Sequence, residues 1–138
     1  MPAPFSDGGA CGAIRYECSA EPMMSFNCHC RDCQRASGSA YLSAMVVPTT
    51  ALTLRKGEPQ YHAVRANSGH TTMQGFCTEC GSVVLGKVAE SPDMRVVIAA
   101  SLDDSSWHQP TMDFWTASAQ PWDFLNPALQ KFDTEPAE

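Results

Sequence analysis

A chain of 138 residues has room for one hydrophobic core, so a single domain is the expectation. Nine basic against fifteen acidic side chains give a formal charge of −6, which opposes the attraction to phosphate that nucleic-acid binding needs and makes DNA and RNA poor partners. The segment from Met1 to Gly12 lacks the basic start and apolar run of a secretion signal, and no stretch approaches the ~20 apolar residues of a membrane span, so a soluble, cytoplasmic protein without membrane attachment is expected.

Turn formers punctuate the chain at short intervals: Asp7-Gly8-Gly9, Glu21-Pro22, Lys56-Gly57-Glu58-Pro59, Asn67-Ser68-Gly69 and Ser91-Pro92-Asp93. Between them the residue pattern predicts, in chain order, a strand over 13–18, a helix over 30–37, and strands over 41–47, 52–55, 60–64, 71–76, 83–88 and 94–100. The helix turns Arg31, Gln34 and Arg35 outward. Seven strands and one short helix favour an antiparallel β fold over a parallel sheet, which needs crossover helices between its strands. No internal repeat is present. The expected division is a lead-in over 1–7, one zinc-binding β domain over 8–125, and a tail over 126–138, acidic and apolar-poor from Asp133 and partly disordered.

Seven cysteines in a chain without an export signal point to metal binding or catalysis rather than to disulfides, and an odd number cannot pair completely. The strongest signal is Cys28-His29-Cys30-Arg31-Asp32-Cys33, followed by Cys77-Thr78-Glu79-Cys80-Gly81. A Cys-x-x-Cys knuckle folds two sulfurs onto one tetrahedral zinc ion, and free core thiols have no reason to recur at that spacing. In extended backbone residues i and i+2 point the same way, so Cys28 and Cys30 face one ion while His29 faces away as an outer or partly exposed imidazole, and Cys33 returns after one helical turn. Three thiolates leave a fourth position for water or substrate, the arrangement of catalytic rather than structural zinc. Cys11, at a turn, is placed to join Cys77 and Cys80. Cys18 follows it by a strand's length, roughly 23 Å at about 3.3 Å per residue, and is expected as a core thiol.

These motifs resemble the glutathione-dependent formaldehyde-activating enzyme family, which includes centromere-protein-V-like proteins. The residues that carry the likeness are Gly8-Gly9-Ala10-Cys11-Gly12-Ala13-Ile14-Arg15-Tyr16, the run from Cys28 to Gly38, Lys56-Gly57, Phe76 to Gly81, Ser101-Leu102-Asp103-Asp104, Pro110, Trp115 and Trp122. The resemblance implies a zinc-stapled β-tent of antiparallel sheets, a catalytic zinc on Cys28, Cys30 and Cys33, and a structural zinc on Cys11, Cys77 and Cys80. The family's first motif carries a further cysteine where this chain has Gly9, which leaves the structural set one ligand short, to be completed by water, Asp7 or a histidine. A second departure is Asp113, where many relatives carry histidine.

The implied activity is that of a carbon–sulfur lyase type of enzyme: addition of glutathione, a small-molecule thiol, to formaldehyde. Arg31 and Arg35 are the candidate substrate-binding residues, placed to offset the negative charge of a three-thiolate zinc and of glutathione. Trp107, Trp115 and Trp122 are candidates for a pocket wall or for packing, and Ser37 and Ser39 for a substrate carboxylate. Two other readings stand beside this one: a zinc enzyme acting on another thiol or electrophile, and a non-catalytic interaction module in which Cys30, Cys33, Cys77 and Cys80 close one structural site.

Overall fold

The computed structural model describes residues 3–66 and 69–135. The predicted turn at Asn67-Ser68, the first two residues of the lead-in and the tail from Pro136 lie outside the described residues. The strands are β1 (Phe5–Gly8), β2 (Arg15–Cys18), β3 (Met24–Cys28), β4 (Leu42–Pro48), β5 (Leu52–Lys56), β6 (Gln60–Arg65), β7 (Thr71–Phe76), β8 (Val83–Val88), β9 (Met94–Ile98), β10 (Met112–Phe114) and β11 (Gln130–Lys131), with one α-helix, α1 (Arg31–Ser37). They form a three-stranded sheet in the order β1-β2-β5 and an eight-stranded sheet in the order β11-β10-β3-β4-β9-β8-β7-β6. The protein is mainly β with a single short helix among the described residues, and none of its described helices is long and apolar enough to cross a membrane.

All seven predicted strands are present, and the last of them ends at Ile98 because Ala99–Ser101 turn into a 3-10 helix. Four further strands were not anticipated. β1 turns Phe5 and Asp7 inward, so a buried carboxylate interrupts the apolar alternation that marks a strand. In β3 the polar Asn27 is buried between Phe26 and Cys28. β10 and β11 span three and two residues, too few for any periodicity to register. Pairing is antiparallel throughout, except that β10 runs parallel to both β3 and β11. The tail is therefore stitched into the larger sheet at least as far as Thr134, whose carbonyl accepts from Trp115 N–H at 2.8 Å.

β4 sits at the centre of the molecule. Met45 and Val47 project into a core with Phe5, Tyr16, Leu85 and Val97 beneath the three-stranded sheet, while Leu42, Ala44 and Val46 project the other way, against Phe26, Cys28, Ile98 and Phe114. Burial on both faces explains why this strand reads as an almost unbroken apolar run. The second core is the one that backs the first cysteine group, and its aromatic centre is a stacked pair, Phe26 and Phe114, with centroids 4.5 Å apart.

Candidate metal centres

Cys28 is the last residue of β3, and its neighbour His29 is tied by backbone N–H to the Phe114 carbonyl of β10 at 2.9 Å. Cys30 keeps the extended conformation (φ −66, ψ 157) and caps α1, its Sγ accepting from Cys33 N–H at 3.4 Å. The chain thus delivers Cys28 and Cys30 by strand geometry and Cys33 by the first helical turn. The three sulfurs all lie within 4.8 Å of one another. Hydrogen bonds from the Cys28 and Cys33 thiols, helped by the backbone N–H groups of Cys33 and Asp32, pull Cys30 down to about 3. The same sharing pushes Cys28 up to about 12 and raises Cys33 further. Three sulfurs within 4.8 Å of one another, with Cys30 held low by its neighbours, form a donor set that fits a divalent cation able to displace the remaining thiol protons.

The second group is assembled from distant parts of the chain. Cys77 follows β7, and the knuckle behind it closes through Gly81 N–H to Cys77 O at 2.7 Å, with Gly81 in the left-handed region (φ 79) that glycine adopts without cost. Cys11 enters from the turn between β1 and β2. The sulfurs of Cys11, Cys77 and Cys80 also lie within 4.8 Å of one another. The Cys11–Cys77 separation of 3.7 Å matches the edge of about 3.8 Å expected of a tetrahedron with sulfur ligands at about 2.3 Å. Cys77 is buried, whereas Cys11 and Cys80 are exposed. The Ser82 hydroxyl, 3.2 Å from Cys80 Sγ, holds that thiol down at about 6.

Several sequence expectations are corrected by this geometry. Cys30 and Cys33 gather with Cys28, while Cys77 and Cys80 gather with Cys11, so the single closed site of Cys30, Cys33, Cys77 and Cys80 does not form. Neither Asp7 nor a histidine completes the second group: Asp7 is wholly buried in the core and stands outside it. Ser37 donates to the Cys33 carbonyl at 2.8 Å and is not available for a substrate carboxylate. Trp107 packs against Phe5 with centroids 5.1 Å apart, Trp115 packs on the second core and Trp122 is exposed, so the three indoles share no pocket. Cys18 is a core thiol, as expected.

His29 faces away from the sulfurs, also as expected, but it is neither exposed nor loosely placed. Its Nε2 lies 2.8 Å from Asp113 Oδ1 and its Nδ1 lies 2.5 Å from Asp123 Oδ2, and all three side chains are almost completely shielded from solvent. Lys131 of β11 donates to Asp113 Oδ2 at 3.3 Å. Both ring nitrogens are thus engaged by carboxylates, and the Lys131 ammonium group faces one of them. Gln34, expected on the outer face of the helix, is instead buried and adds a further tie, its Nε2 donating to His29 O at 2.7 Å and to Ser118 O at 3.1 Å, while its Oε1 accepts from Arg31. Arg31 and Arg35 are both exposed on α1, the helix whose first turn carries Cys33. A cleft of about 550 Å³ is lined by His29 and Asp113 and by no cysteine.

The family model of the glutathione-dependent formaldehyde-activating enzyme matches residues 5–118, well over half of the chain. The chain belongs to this family. A crystal structure of a Rhodobacter sphaeroides protein shares the fold, with a TM-score of 0.55 and 20% sequence identity over 71% of this chain and 87% of that one. No curated protein matches. Within the family, this chain carries two sulfur groups that can each hold a metal ion. At Gly9 a side-chain β-carbon would meet Cys77 Cβ at 3.4 Å and Cys80 Sγ at 3.6 Å, so the position faces the second group directly. Asp113, where the resemblance led histidine to be expected, is buried against His29.

Proposed function

We propose that this protein is a zinc-dependent enzyme of the carbon–sulfur lyase type that adds glutathione to formaldehyde, with Cys28, Cys30 and Cys33 as the ligands of the reactive metal. The observation that carries the reading is the convergence of these three sulfurs within 4.8 Å at the junction of β3 and α1, in a chain of this family. Three soft donors from one short segment suit zinc and leave a fourth position. When bound, the ion supplies Lewis acidity and keeps a coordinated thiol deprotonated at neutral pH.

The chain's own residues supply the rest. The half-buried setting of Cys30 and Cys33 against the Phe26 and Phe114 core limits water around the sulfurs and strengthens electrostatic interactions there. Arg31, held by Gln34, and Arg35 attract the carboxylates of glutathione to the mouth of the site. In the reaction the substrate sulfur bonds to the carbonyl carbon, the C=O electron pair moves onto oxygen, and oxygen takes a proton from solvent, giving S-(hydroxymethyl)glutathione. The reverse direction breaks the same C–S bond. Cysteines read as metal ligands rather than disulfides, and a thiol substrate, favour a reducing compartment such as the cytoplasm.

The test is the full chain with Cys30→Ala, assayed for metal content, glutathione-dependent formaldehyde consumption above the spontaneous rate, and far-UV circular dichroism. About one metal equivalent and the catalysed rate are lost while the spectrum is retained, since an open site does not hold the core. A variant that keeps both metal and rate refutes the assignment.

A further inference from the structure

The second sulfur group differs from the first in being open to solvent. Cys11 and Cys80 are exposed, whereas Cys28 is buried and Cys30 and Cys33 are half-buried. Cys11 and Cys77 Sγ stand 3.7 Å apart, the separation of two ligands on a tetrahedral ion, and all three sulfurs lie within 4.8 Å of one another. A β-carbon at Gly9 would stand 3.6 Å from Cys80 Sγ and no closer than 3.4 Å to any neighbour outside its own chain neighbours. The backbone of Gly9 lies outside the left-handed region, so no strain reserves the position for glycine. A β-carbon there would make ordinary contacts with Cys77, Cys80 and Ser82.

Gly9 also borders a cleft, one that no cysteine lines. Gly9, Ala10 and Ser82 line a cavity of about 410 Å³ together with Arg15 and Asp103. Two of its walls touch the sulfur group: Gly9, as above, and Ser82, whose hydroxyl is 3.2 Å from Cys80 Sγ and accepts from Ala10 N–H at 3.0 Å. A cavity of this volume accommodates a small organic molecule. Three thiolates make a soft site, and a soft site prefers sulfur to oxygen in its last position.

We propose that Cys11, Cys77 and Cys80 form a second metal centre whose fourth position opens through the gap at Gly9 onto the adjoining cleft and binds the thiolate of a small-molecule thiol. This goes beyond the role proposed for Cys28, Cys30 and Cys33 and does not depend on it. The centre retains metal less firmly than a four-thiolate site, and an external thiol completes it.

Cobalt(II) substitution with glutathione as the probe tests this. In the Cys30→Ala full chain, which retains only the second centre, sulfur-to-cobalt absorption rises by roughly a third on titration with glutathione, in proportion to the step from three thiolates to four. Adding Gly9→Cys to that variant gives the higher absorption from the start and abolishes the response. An absorption that does not change with glutathione, cobalt that is stripped from the protein by it, or an equal response with and without Gly9→Cys overturns the proposal. Should Cys30→Ala fail to fold, Gly9→Cys in the otherwise unaltered chain serves: the glutathione response falls by the share of one centre, and an undiminished response overturns the proposal. The companion variant Cys80→Ser reports the glutathione response of the Cys28 group alone, so that either centre can fail without the other.

Discussion

His29 Nε2 lies 2.8 Å from Asp113 Oδ1 across the β3–β10 pairing, joining the residue between two cysteine ligands to the strand that was hardest to foresee. The pair is almost completely desolvated and the opposite ring nitrogen is taken by Asp123. The imidazole therefore anchors the backbone from which Cys28 and Cys30 project.

Removing the ring leaves two buried carboxylates facing an empty space. His29→Ala destabilises the fold by about 3–5 kcal/mol, the usual cost of breaking a buried ion pair from one side, and loosens metal retention at the Cys28 group. Asp113→Asn, which keeps an acceptor for the ring, costs less. Chemical denaturation with metal analysis measures both. Equal stability of His29→Ala and the parent would show that the ion pairs contribute nothing net.

Asp7 gives the fold a pH dependence. Burial pushes its carboxyl up from the usual 3.8 to about 8, with the Tyr16 hydroxyl offsetting this only in part. An acid raised on folding is protonated in the native state and ionised in the unfolded chain, so the contribution of this group is fully present below about 4 and is lost as pH rises to about 8. The slope contributed is at most about 1.4 kcal/mol per pH unit. Asp7→Asn removes this contribution, and the difference in melting temperature between variant and parent widens from pH 5 to pH 8. Parallel curves over that interval contradict the assignment.

Deletion of residues 126–138 removes β11, the Lys131 partner of Asp113, and Phe132, whose ring stands 5.9 Å from that of Phe114 in an edge-on contact. The shortened chain melts lower by at least about 3 °C, as loss of roughly 1 kcal/mol dictates for a domain of this size. An unchanged melting temperature would make the tail dispensable.

The Cys11 group spans two sheets, since Cys11 precedes β2 and Cys77 follows β7. Metal bound there contributes to folding free energy. Chelator lowers the melting temperature of the parent, and Cys80→Ser melts low with or without chelator. Identical melting of parent and variant in both conditions removes the structural contribution of this centre.

The first cysteine group was legible from the sequence because its geometry is local. Cys28, Cys30 and Cys33 lie within one strand end and one helical turn, and the two backbone periods alone set where their side chains point. The predicted strands were legible for a similar reason: each carries a run of apolar or β-branched residues that registers against turn formers on either side. β1 and β3 were hidden because each buries a polar residue, Asp7 or Asn27, that breaks the pattern, and β10 and β11 because they are too short to have one. The partners of His29 stand 84 and 94 residues away, and no spacing rule reaches that far. That Cys11 joins Cys77 and Cys80 was expected from the motifs, and their sulfurs do gather. Only the tertiary structure decided how the chain brings Cys11 and Cys77 together across 66 residues, that a β-carbon at Gly9 would touch both Cys77 and Cys80, and that Asp113 is matched to a buried imidazole, because each depends on which strands pair and which faces close on one another.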